Sequence, residues 1–227
     1  MSMKFDLSLV QSKIFGCDVK NVLFAVIIPI PSIYDTLRIR LSDSYVENIN
    51  GFYRSTFIVE SGKNIGLLIC LPQGVQSQDV LYALPDVPML FFGFAGGLRN
   101  SLTIGSVVEV SEAMEGSDIN HGLIETKLFQ SVRCGYSPCL LGDLASEHCE
   151  RALSMNCDIV DMEIVFLARA AKRNNNQLTA WALITDMPGN VNFWETEDYH
   201  QENLDSGLNL AIKHIVDFVN KNRCRKG

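Results

Sequence analysis

Three groups of residues in this chain have types and spacings that could do chemistry. The first is Asp161-Met162-Glu163, two acids bracketing a methionine at the mouth of an apolar helical run that extends to Lys172. One acid in a first helical turn suits the helix dipole and is worth about 0.3–1 kcal/mol. A second carboxylate is also a natural acceptor for two neighbouring hydroxyls. Capping and hydroxyl binding are both open readings at this point. Met162 offers a soft, adaptable apolar surface between the acids.

The second group is Thr185-Asp186, which ends an apolar stretch and precedes the turn Met187-Pro188-Gly189-Asn190. An aspartate at the carboxyl end of a buried strand lies where α/β proteins build their sites. Partial burial would raise its pKa, so it could hold and donate a proton. A plain turn-forming aspartate is the alternative. The third group is Phe91-Phe92-Gly93-Phe94-Ala95-Gly96-Gly97-Leu98, with Ile104-Gly105-Ser106-Val107-Val108 after it. Small residues after a buried strand let the backbone bend and point its N–H groups at a ligand. A tight strand-to-loop turn without a ligand fits the same letters.

These groups need elements to hold them. Val22–Ile30 is a continuous apolar run, the signature of a strand buried on both faces. Residues 52–60 and 64–71 read as paired strands around the turn Ser61-Gly62-Lys63. Further strands are expected at 89–94, 106–110, 129–134, 158–160 and 179–185, and helices at 76–83, 146–155, 163–172 and 204–220. The last helix carries Leu208, Ala211, Ile212, Ile215, Val216 and Val219 on one face. Strands alternating with helices predict a three-layer α/β/α domain with a mixed central sheet.

Composition narrows the function. The 227 residues are 47% hydrophobic and 20% charged, an ordinary globular balance. The net charge is -7, which argues against a nucleic-acid partner, since phosphate backbones select basic faces. The apolar run Val22-Leu23-Phe24-Ala25-Val26-Ile27-Ile28-Pro29 is interrupted by proline and falls well short of the roughly 20 residues a bilayer span needs, so no membrane partner is expected. The opening residues lack a basic start followed by a long apolar core, and a cytoplasmic setting follows. Seven cysteines without a zinc-like spacing read as free thiols in a reducing compartment. His121, His148, His200 and His214 are scattered, so no metal is expected.

In their order and spacing the three groups resemble the nucleoside phosphorylase and nucleosidase superfamily, nearest the methylthioadenosine/S-adenosylhomocysteine nucleosidases. That family has Gly-Ser-Ala-Gly-Gly-Leu, then Gly-Asp-Ile-Val-Val, then Glu-Met-Glu opening a helix, then Ser-Asp at a strand end. Here the counterparts are Gly93–Leu98, Gly105–Val108, Asp161-Met162-Glu163 and Thr185-Asp186. Glu112-Ala113, Asp118 and Gly142-Asp143 also fall where the family has comparable residues. The likeness runs from about Val22 to about Asn222 within one domain spanning 1–227, with residues 1–20 as an N-terminal extension.

The resemblance implies a nucleosidase acting on a purine nucleoside or related riboside, without a cofactor. Glu163 would take the ribose 2′ and 3′ hydroxyls, with Asp161 beside it, and Met162 would pack on the sugar. Asp186 would protonate N7 of the leaving base. Ala95 and Gly96 would line the pocket through backbone groups, and Phe94 would border the nucleophile side. Phe193 and Trp194 could form a lid over it. The resemblance also implies a homodimer or higher homo-oligomer.

The chain departs from the family's pattern on the attacking side. The family's water-activating glutamate after the first strand has no counterpart in Ile27–Asp35, where Ser32 and Asp35 are the nearest polar groups. The phosphorylases' arginine before the glycines is missing from Leu90–Gly93, leaving Arg38 or Arg40 to hold a phosphate. Between Asp118 and Gly142 the chain is shorter than that branch by a helix and its loop. A phosphate-dependent phosphorylase and a non-catalytic nucleoside-binding protein are therefore the alternatives.

Overall fold

The computed structural model describes residues 7–16, 18–41, 47–48, 51–60, 62–116, 120–138, 142–191 and 196–223. Its helices are α1 (Leu7–Phe15), α2 (Pro31–Leu41), α3 (Gln78–Ala83), α4 (Gly142–Ser154), α5 (Ile164–Asn174) and α6 (Thr196–Arg223). Its strands are β1 (Ala25–Ile28), β2 (Glu47–Asn48), β3 (Arg54–Glu60), β4 (Lys63–Cys70), β5 (Met89–Gly97), β6 (Val107–Met114), β7 (Asn120–Gly122), β8 (Gln130–Tyr136), β9 (Ile159–Asp161) and β10 (Leu178–Asp186).

Strand alternation sorts apolar side chains onto two faces. Ala25, Ile27, Leu67, Phe91, Ala180 and Ile184 join α3 and α5 residues such as Val80, Leu167 and Ala171 in one core. Val26, Ile28, Leu68, Phe92, Trp181 and Leu183 join Leu37 of α2 and Ile212 and Ile215 of α6 in another. The result is a sheet with helices on both sides, the three-layer α/β/α arrangement. The sheet is mixed, with order β10-β6-β8-β9-β5-β1-β4-β3-β2. A further pairing of β10 with β5 closes β10, β6, β8, β9 and β5 into a ring. β4, β1, β5 and β10 run parallel, so their carboxyl ends share one edge.

Two expectations change. Residues 95–97 are strand, not turn, because β10 pairs with β5 as far as Gly96 while β9 pairs with Gly96 and Gly97 from the other side. The run Val22–Ile30 holds a shorter strand, β1, and helix α2 follows it, although Pro29 precedes the helix and Pro31 opens it. Pro31 is its first residue, where a missing N–H breaks no helical bond and the ring pre-sets φ. Ile33, Tyr34, Leu37 and Leu41 are its buried residues.

The N-terminal segment is helix α1, whose Gln11 amide donates to the Ala83 carbonyl of α3 at 2.9 Å. The interval the sequence reads as shortened holds β7 and β8. Among the described residues no helix is long and apolar enough to cross a membrane.

Candidate active site

The site is built where β9, β5 and β10 meet. Gly96 of β5 sits in register with Val160 of β9 on one side and with Asp186 of β10 on the other. It thus lies between the strand that delivers Asp161 to Glu163 and the strand that ends in Asp186. No side chain fits there, since a Cβ on Gly96 would stand 2.9 Å from Pro188 Cγ and 3.3 Å from Asp186 Oδ2.

β9 ends at Asp161 and α5 begins at Ile164, so two residues must turn the chain from strand to helix. Asp161 makes that turn. Its Oδ1 accepts the amides of Glu163 and Ile164, both at 2.6 Å, which satisfies N–H groups a helix start leaves unpaired. Its Oδ2 is buried and has no hydrogen-bond partner. Asp161 is only 4% exposed, so its carboxylate faces the protein interior and serves the helix. Capping explains this acid.

Glu163 has a different setting. It too is 4% exposed, and its Oε1 accepts the amide of Gly74 at 2.5 Å. Gly74 follows β4 with φ +88°, a conformation that glycine adopts freely, so the turn at the end of β4 aims its N–H at Glu163. No motif in the sequence pointed to Gly74. The clue available was a glycine just past the end of a buried strand, at the edge where the parallel strands end.

Both acids have raised pKa values. For Glu163 the cause is burial first and then the negative charge of Asp161, with the Gly74 amide pulling the other way. For Asp161 it is burial, opposed by the amides of Ile164, Glu163 and Met162. Because those amides favour the charged form of Asp161, Glu163 is the member that holds a proton. Met162, between them, is half-buried.

Asp186 closes β10 and is 7% exposed. Its Oδ1 accepts the Thr185 hydroxyl at 2.9 Å, which orients the carboxyl group. Burial raises its pKa, and the Thr185 bond only partly offsets this. The fold therefore supplies a carboxylic acid with an elevated proton affinity at the carboxyl end of a central strand. That is the property a general acid requires.

The remaining expected residues are dispersed around this centre. Ala95 is buried beside Ile184 in the core under α5. Phe94 faces the opposite core, in register with Leu183 and packed on the α2 and α6 side. Asp35 lies on α2 with its carboxylate engaged by Arg54 at 2.9 Å and Arg38 at 3.5 Å. Asp143 is in the first turn of α4. Asp118, Phe193 and Trp194 lie outside the described residues. A surface cavity lined by Gly122, Ile124, Ala171, Lys172 and Leu178 opens at the start of β10, the far end from Asp186.

One further buried acid escaped the sequence reading. Glu109 of β6 is 0% exposed. It accepts the amide and hydroxyl of Thr126 at 2.5 and 2.6 Å, the Lys127 amide at 2.8 Å and the Trp181 indole at 3.1 Å. All its work is structural, for it ties the 126–127 loop to β10.

No family model and no curated protein matches the sequence. The backbone, however, closely follows several solved structures. A uridine phosphorylase from Vibrio fischeri ES114 aligns with a TM-score of 0.72 at 12% identity, covering 92% of this chain and 96% of that one. The 5′-methylthioadenosine nucleosidase of Arabidopsis thaliana gives 0.70 at 14% identity, over 89% and 96%. An MTA/SAH nucleosidase gives 0.69 at 16% identity, over 88% and 96%. At such identities the likeness is one of fold.

Proposed function

From this nucleoside phosphorylase and nucleosidase fold, we propose that the chain is a nucleosidase that hydrolyses the N-glycosidic bond of a purine nucleoside or related riboside. Asp186 protonates the leaving base and Glu163 binds the ribose diol. The supporting observation is the register at Gly96, which sets the Asp161–Glu163 turn and Asp186 on either side of one bare strand position. Protonating the base makes it a better leaving group, and the bond then breaks through an oxocarbenium-like state that water captures. Met162 packs on the sugar, while Ala95 and Gly96 line the pocket through backbone groups. The whole chain acts as one domain, works in the cytoplasm and assembles as a homodimer or higher homo-oligomer.

A second reading is a nucleoside-binding protein without catalysis. It is favoured by Asp35, the acid nearest the position of the family's water-activating glutamate, whose carboxylate is held by two arginines. A phosphorylase would need Arg38, Arg40 or an arginine of a neighbouring subunit to hold phosphate, and Arg38 is paired with Asp35.

Incubation with a panel of purine nucleosides, with and without phosphate, separates the three. Free base released without phosphate and lost in Asp186→Asn is the expected result. Release only with phosphate selects the phosphorylase, and binding without release selects the non-catalytic protein.

A further inference from the structure

Two buried carboxyl groups at one helix mouth leave an acceptor unexplained. Asp161 Oδ1 is saturated by two amides, yet Asp161 Oδ2 is buried without a donor. A buried acceptor in that state costs free energy unless a proton or a donor serves it. The two acids are tied through the backbone, since the Glu163 amide is one of the two that Oδ1 accepts. The Gly74 amide holds the Glu163 carboxyl group. The titratable group facing the pair from β8 is the Cys134 thiol, which burial and the charges of Asp161 and Glu163 push upward and which therefore stays neutral. Neither acid's pKa owes anything to a cation.

We propose that Asp161 is a positioning residue for Glu163: the two carboxyl groups share one proton in the free protein, and that proton leaves when Glu163 accepts both hydroxyls of a ribose. The proposal rests on the reading of Glu163 as the diol-binding group. Proton balance is simple. Free protein carries Asp161⁻ and neutral Glu163, and riboside binding releases one proton to solvent. A free base makes no contact with Glu163 and releases none from this pair. Riboside affinity should therefore rise with pH while free-base affinity does not follow it.

The test is a carboxyl-carbon NMR titration of the whole chain, with the Glu163 signal assigned by its loss in Glu163→Gln. Asp161→Asn removes the charge while keeping a side-chain oxygen for the cap, since Asn and Asp cap helices about equally well. Glu163 should titrate at about 8 in the wild type. In Asp161→Asn its midpoint should fall by about one pH unit or more. An unchanged midpoint overturns the proposal. So does a wild-type Glu163 that titrates in the ordinary carboxylate range, a result that does not depend on any variant folding.

Calorimetry with adenosine in two buffers of different ionisation heat then counts protons released, with adenine as the control. Release with adenosine, reduced in Asp161→Asn, is expected. If no riboside in the panel binds at any pH, the diol reading fails. That result is distinct from an unchanged midpoint, which defeats the pairing alone.

Discussion

Asp161 binds the backbone of Glu163, its Oδ1 accepting the Glu163 amide at 2.6 Å, and so one acid of the helix mouth holds the other in place. Removing the cap should be costly, whereas removing its charge should not. Asp161→Ala is expected to lower unfolding free energy by about 1–2 kcal/mol, with Asp161→Asn within about 0.5 kcal/mol of wild type. Urea denaturation measures both. Equal losses in the two variants would mean that the charge, not the cap, stabilises the helix start.

Stability should also depend on pH in a definite direction. Burial and the Asp161 charge raise Glu163 from 4.5 to about 8, so between those values the folded state binds more protons than the unfolded chain. Stability gained from the proton is fully present below about 4.5 and is lost as pH rises through about 8. Burial pushes Asp186 the same way. Unfolding free energy should therefore decline from pH 5 to 8 by on the order of 1 kcal/mol per unit, and Glu163→Gln should flatten the slope. Denaturation series at several pH values test this, and a slope identical in the variant would refute the assignment.

Gly96 tolerates no side chain without moving Asp186 or Pro188. In Gly96→Ala the new Cβ would come 2.9 Å from Pro188 Cγ and 3.3 Å from Asp186 Oδ2. The variant should fold with a loss of about 1–3 kcal/mol. On the proposed function, base release should fall by about tenfold or more, because Asp186, the proposed general acid, is displaced from its reach. Parallel melting and turnover measurements distinguish this from simple unfolding.

The Glu109 clamp predicts a stability effect with no direct effect on chemistry. Glu109→Ala would leave the Trp181 indole and the Thr126 and Lys127 amides without their acceptor, a loss of at least about 3 kcal/mol. Trp181→Phe deletes only one of those bonds and should cost less in hydrogen bonding, about 1 kcal/mol. Guanidinium titrations of each variant give the comparison.

Much of the layout is legible in the sequence because it follows from periodicity. Apolar runs mark β1, β5 and β10, and the helical spacing of Ala211, Ile212, Ile215 and Val219 marks the inner face of α6, where all four are buried. The end of α5 is legible too, since Asn175 takes the left-handed conformation that a run of asparagines favours. What stays hidden depends on partners distant in sequence. The turn signals of Gly96 and Gly97 give way to strand through residues 95–97 because β9 and β10 supply ladder bonds that no local pattern announces. Helix α2 is masked by its prolines, and its inner face buries Tyr34 and Leu37 in the core. Glu109 looks like any solvated strand acid until the loop 17 residues away closes on it. In the site, acidic spacing marks the helix mouth but does not say which acid caps and which remains for a ligand.

Trp181 turns the architecture into its own optical gauge. The chain has two tryptophans, and this one is buried in β10 five positions before Asp186, its indole hydrogen-bonded to a carboxylate and its ring edge-on to Phe129 at 5.2 Å. Emission from such an indole is sensitive to small changes in the field around it. Strand β10 thus carries both a buried indole and the strand-end acid, and a Trp194→Phe variant would leave that indole as the chain's one tryptophan emitter.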